Sequence, residues 1–113
     1  MDERQRRVGR NEALFRQVNE ELEALDQFTR ITERTVGIVC ECGDLLCQER
    51  LDVPVATYER ARSESELFLV VPGHEIPAAE DVVERSDRYT IVRKHEGGPA
   101  ELARETDPRS EGT

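Results

Sequence analysis

The spacing of hydrophobic residues changes several times along the chain, and each change predicts an element. Between Asn11 and Phe28 the apolar positions Leu14, Val18, Leu22 and Leu25 recur at three- and four-residue intervals, with Phe15 and Phe28 widening the stripe. This period predicts a helix over 11–28 that packs its apolar face on a sheet. Asn11 suits the N-cap, because its side-chain oxygen can accept a bond from a free first-turn amide. Residues 29–35 have no period and read as a connector.

Short β-branched or continuous apolar runs then predict strands near 36–41, 49–53, 67–71 and 88–94. Gly43-Asp44 reads as a turn after the first strand. Pro54 suits the opening of a helix to about Arg62, since the amide it lacks would be unbonded there. The run Leu67-Phe68-Leu69-Val70-Val71 reads as a strand buried on both faces. It stops at Pro72-Gly73, where Pro fits the second position of a tight turn and Gly the third. A brief helix is expected from Ala78 to Glu84. In the last strand Tyr89 and Ile91 should share one face and Val92 the other. Gly97-Gly98 precedes a short helix at 99–105, and a polar tail is expected from Pro108.

The fold class expected is α+β: a small, mainly antiparallel sheet of three or four strands with a long N-terminal helix packed on it. A chain of 113 residues allows one domain. Its expected organisation is a flexible basic arm at 1–10, a single domain at 11–107 and a flexible tail at 108–113.

Charge adds a constraint on partners. The chain has 25 acidic and 16 basic residues, a net charge of −9, and Lys94 is its sole lysine. Residues 1–10 run against this trend, with Arg4, Arg6, Arg7 and Arg10 facing only Asp2 and Glu3. An acidic body is repelled by phosphate backbones, so direct nucleic-acid binding is not expected and a basic protein partner is. No apolar run is long enough to span a membrane, and no basic-then-apolar opening reads as a signal peptide. The expected location is therefore cytoplasmic, where thiols stay reduced.

The chemistry is concentrated in Cys40-Glu-Cys42-Gly-Asp-Leu-Leu-Cys47. Residues two apart on a strand point to one face, and the Gly43-Asp44 turn can return Cys47 to the same point. Three converging thiolates suit zinc, which favours tetrahedral sulfur and nitrogen donors. The fourth ligand is expected to be His74, whose direction the Pro72-Gly73 turn would fix. His95, in a looser setting, is the alternative; a carboxylate such as Asp44, or water, would also complete the shell. Competing readings are a disulfide, disfavoured in a reducing compartment, and buried thiols acting as small hydrophobes. A metal site would staple the first turn to the one after the third strand and offset the small core.

No catalytic motif accompanies the cysteines. The zinc-deaminase pair, the helical metalloprotease motif, the nucleophile elbow and the phosphate-binding glycine loop are all missing. The function expected is a non-catalytic, zinc-stabilised acidic module, regulatory in role, that binds a basic protein such as part of the transcription or translation machinery. A thiol-based redox or metal sensor is the alternative, and a small zinc hydrolase a weaker one.

Five segments together carry a resemblance. They are Asn11-Glu12, the Cys40-x-Cys42-x4-Cys47 cluster, Tyr58-Glu59-Arg60-Ala61-Arg62, Phe68-x-Val70-x-Pro72-Gly73-His74-Glu75, and Thr106-Asp107-Pro108-Arg109. Over residues 11–109 the chain resembles small uncharacterised bacterial proteins from high-GC genomes. In that group a Thr caps the middle helix where this chain has Pro54, a departure that leaves the metal ligands untouched. The resemblance implies no activity; it supports pairing His74 with the cysteines.

Overall fold

The computed structural model describes residues 2–29 and 35–109, with no side chains described at 25–29. Residues 30–34 of the connector predicted at 29–35, the side chains of Leu25 and Phe28, and the tail from residue 110 lie outside that range. The architecture is α+β. In chain order it comprises α1 (Glu3–Thr29), β1 (Thr35–Val39), β2 (Arg50–Pro54), α2 (Val55–Arg62), β3 (Leu67–Val70), β4 (Glu80–Arg85), β5 (Thr90–Lys94) and α3 (Gly98–Glu105).

The strands form two antiparallel sheets where one was expected. β1 pairs with β2, and β5 lies between β3 and β4. Alternation explains the first pair: Val36 and Ile38 face inward opposite Val53 and Leu51, while Thr35, Gly37, Arg50 and Asp52 face out. The all-apolar β3 is buried on both faces, as its sequence predicts. Its two faces serve two cores. Leu67 and Leu69 join Val36, Ile38, Tyr58 and Ile91 in one; Phe68 and Val70 join Cys40, Cys42 and Val92 in the other. Tyr89 and Ile91 pack in the first core and Val92 in the second, as expected for β5.

The helix expected at 78–84 is instead strand β4. Only a single helical turn forms there, closed by the amides of Ala79 and Glu80 on the Ile76 carbonyl. The β-branched Val82-Val83 favour extended backbone, and pairing with β5 carries the segment into a strand. Burial alternates along β4, so Val82 turns inward and Val83 faces solvent, and the register with β5 shifts between Val82 and Glu84.

Helix α1 departs most from expectation. It starts at Glu3, so residues 3–10 are its first turns and Asn11 is an interior position. Among its described side chains the buried ones are Glu12, Arg16, Asn19 and Glu23. These lie roughly a third of the way round the helix from the expected apolar stripe. Val18 and Leu22 are only half-buried and Leu14 is 52% exposed.

A polar inward face is tolerated because its groups find partners on other elements. Asn19 both donates to the Val39 carbonyl and accepts from the Val39 amide, each at 2.8 Å. Arg16 lies 4.6 Å over the Phe68 ring and donates to the carbonyls of Ser65 and Ala103. Glu12 pairs with the buried Lys94 at 3.0 Å. The predicted tail also opens with a fixed residue: Arg109 donates to Glu20 on α1 and Glu59 on α2.

Candidate metal centre

Beyond β1 the chain stays extended through Cys40-Glu41-Cys42 and stitches the sheets together. The Cys40 amide donates to the Glu49 carbonyl and the Glu41 amide to the Leu69 carbonyl. Side chains alternate along this stretch. Cys40 and Cys42 pack in the second core with Phe68 and Val70, while Glu41 is turned into Arg62 and Asn19.

Gly43 follows with φ +84°, and it presses on the start of α1. A Cβ there would lie 2.8 Å from a Val8 methyl and 3.0 Å from the Val8 carbonyl oxygen. Asn11 donates to the Gly43 carbonyl at 2.9 Å, pinning the loop to α1. The loop then reverses around Asp44, whose carboxylate accepts the Leu46 amide and whose carbonyl accepts the Cys47 amide. Cys47 is thereby returned to its partners, and Leu45 and Leu46 are left at the tip, with Leu46 87% exposed.

The fourth group arrives from the turn after β3. The His74 amide closes that turn on the Val71 carbonyl at 2.9 Å, with Gly73 at φ +95°. Pro-Gly at its centre is the pairing such a turn requires. The donor atoms of Cys40, Cys42, Cys47 and His74 all lie within 4.8 Å of one another. His74 Nδ1 is 3.6 Å from Cys40 Sγ and 3.7 Å from Cys47 Sγ. For tetrahedral zinc, bond lengths of about 2.3 Å to sulfur and about 2.05 Å to nitrogen imply a sulfur–nitrogen edge of about 3.6 Å. The two edges fit a shared metal ion.

Surrounding groups prepare the donors. Glu49 Oε2 lies 3.2 Å from His74 Nε2. A proton held there leaves the Nδ1 lone pair facing the sulfurs, the usual arrangement behind a metal-bound histidine. The Val71 amide donates to Cys40 Sγ at 3.2 Å. Burial pushes the Cys40 thiol well above its ordinary value against that bond, and Cys42 and Cys47 add to the rise. Burial raises Cys42 too, although the Asp44 amide bonds its sulfur. All three thiols are free. A cation held among them would supply the charge that stabilises their thiolates.

The remaining sequence candidates stand apart. His95 pairs with Asp81 at 3.2 Å on β4, and Asp44 spends a carboxylate oxygen on its own turn. Sequence reasoning missed Glu49, although its spacing from Cys47 is short, and missed the Glu41–Arg62 pair behind the cysteines. No family model, curated protein or solved structure matches the chain. Among the described residues, no helix is long and apolar enough to cross a membrane.

Proposed function

We propose that Cys40, Cys42, Cys47 and His74 bind one zinc ion, and that the chain is a non-catalytic, zinc-stabilised interaction module with a regulatory role. The convergence of three thiols and an imidazole, with sulfur–nitrogen edges of 3.6 and 3.7 Å, carries this reading. Soft sulfur donors favour zinc over magnesium or calcium. Four protein donors fill a tetrahedron and keep no position for water or substrate, which favours a structural centre over a hydrolase.

The net charge of −9 suits a basic protein partner, such as a component of the transcription or translation machinery. Leu45 and Leu46, exposed between two of the ligands, offer that partner an apolar contact. Three free cysteines suit the reducing cytoplasm.

Two measurements test the proposal. Elemental analysis of the chain purified under reducing conditions should find one zinc per chain; a sample without stoichiometric zinc removes the foundation. Capture from the native host, with metal measured on the same sample, should weaken in Leu46→Asp. Capture indifferent to that change, with zinc retained, sinks the interaction part alone.

The half-exposed positions of Cys47 and His74 favour a second reading, a thiol-based redox or metal sensor. Mild oxidant should then release zinc and alter partner capture. Retention of both under oxidant counts against it.

A further inference from the structure

A cavity of about 470 Å³ opens between the first turns of α1, the Ile76–Ala79 turn and α3. It shares none of the four metal-site residues. Its walls are mostly apolar, with Val8, Phe68, Ile76 and Leu102 lining it, and its polar lining includes Glu12 and Lys94. That volume and lining are typical of small-molecule sites, where an apolar body is enclosed and a few polar groups fix one end.

Whenever Glu12 is ionised, the charge at Lys94 is unbalanced. Lys94 Nζ holds Glu12 at 3.0 Å and Glu80 at 2.9 Å, so two carboxylates share one ammonium. Arg16, the next buried cation on α1, spends its hydrogen bonds on carbonyls and the Thr106 hydroxyl and reaches Glu12 only through its charge, without direct contact. Burial pushes the Glu12 carboxyl up to about 7, although Lys94 pulls it the other way. Arg4 lines the cavity as well, but it is exposed and its charge is screened by water.

We propose that this cavity binds a small organic cation, a primary ammonium on a short apolar body, with the ammonium on Glu12. The apolar part displaces water from Val8, Phe68, Ile76 and Leu102. The ammonium supplies the second positive charge that the Glu12–Lys94–Glu80 cluster lacks. A carboxylate ligand would add a third negative charge to the same cluster, and an alcohol would leave the imbalance in place.

The test uses the full, metal-loaded chain and three probes of equal length: hexylamine, hexan-1-ol and hexanoate. Methyl resonances of Ile76 and Leu102 are followed in titrations. Hexylamine should bind saturably at one site, roughly tenfold or more tighter than the other two. Glu12→Gln should bring hexylamine down to the level of hexan-1-ol without weakening the alcohol. Ala79→Leu, which fills the cavity from its half-exposed edge, should remove both and remains informative if Glu12→Gln does not fold. The proposal is overturned by absence of saturation with hexylamine, by hexanoate or hexan-1-ol binding as tightly, or by binding unchanged in either folded variant.

Discussion

Arg62 grips Glu41 through two guanidinium nitrogens, at 2.9 and 2.8 Å, in a pair fully buried between Cys40 and Cys42 on one side and α2 on the other. Glu41 also accepts the Asn19 side-chain amide at 2.6 Å and the Leu69 amide at 3.0 Å. Because successive side chains of an extended segment point oppositely, fixing Glu41 fixes the direction of both neighbouring sulfurs. The pair thus orients two of the candidate metal ligands without touching their sulfurs.

Removing one partner leaves the other charge buried and alone. Glu41→Ala should cost about 3–5 kcal/mol in urea unfolding, and Arg62→Met a comparable amount. The double variant should be less damaged than the sum of the two. Strict additivity would show that the pair does not act as a unit.

Metal removal should loosen the domain, because the centre joins segments separated by 34 residues between Cys40 and His74. Each kcal/mol lost lowers the melting temperature of a small domain by roughly 4–8 °C. Chelation is expected to lower it by more than about 10 °C. An unchanged melting temperature after complete zinc removal contradicts a stapling role.

The two histidines should separate cleanly. His74→Ala should lose metal retention as fully as Cys40→Ser, whereas His95→Ala disturbs only an ion pair to the exposed Asp81. Glu49→Gln should weaken zinc affinity by about 10–100-fold, the usual effect of removing the carboxylate behind a metal-bound histidine. Competition with a chromogenic chelator reads all four variants.

Gly43 combines a left-handed φ of +84° with close approach to Val8 and Glu12. Gly43→Ala meets both obstacles at once and should destabilise the fold by about 2–3 kcal/mol. Gly73→Ala shares the positive φ but meets nothing within 4 Å, so it should cost less. Equal losses in denaturant unfolding would assign the whole effect to backbone strain.

What was legible in the sequence follows from whether a signal is local. Alternation at Val36, Ile38, Leu51 and Val53, and the continuous run at Leu67–Val70, needs no knowledge of partners, and those strands were found. The metal cluster was legible for the same reason: Cys-x-Cys, a Gly-Asp turn and a Pro-Gly turn before His74 each carry their own geometry. Glu12, Arg16 and Asn19 look like a solvated face until Val39, Glu41, Ala103 and Lys94 are brought to them. The inward face of α1, the cavity and the Glu41–Arg62 pair depend on such distant partners. The strand at 80–85 was missed because two of its three inward positions are Glu80 and Glu84, whose partners Lys94, Arg60 and Tyr89 lie elsewhere in the chain.

Glu12 gives the fold a pH dependence whose sign is opposite to that of an ordinary paired carboxylate. Burial raises its carboxyl from 4.5 to about 7, with Lys94 acting the other way. The folded chain therefore holds this proton more tightly than the unfolded chain does. The stability it contributes is fully present below pH 4.5 and is lost as pH rises through 7. The full change is about 3 kcal/mol. Lys94 stays charged across this window: burial opposes its ammonium, but Glu12 and Glu80 outweigh that and raise it. In Glu12→Gln the proton is gone while Glu80 still pairs Lys94. The stability of the native chain relative to Glu12→Gln should thus fall by up to about 3 kcal/mol between pH 4.5 and 8. Taking the difference between the two proteins cancels the groups they share. Urea unfolding at four or five pH values measures it. A difference that is flat, or that grows with pH, would mean that Lys94 outweighs burial and holds Glu12 ionised.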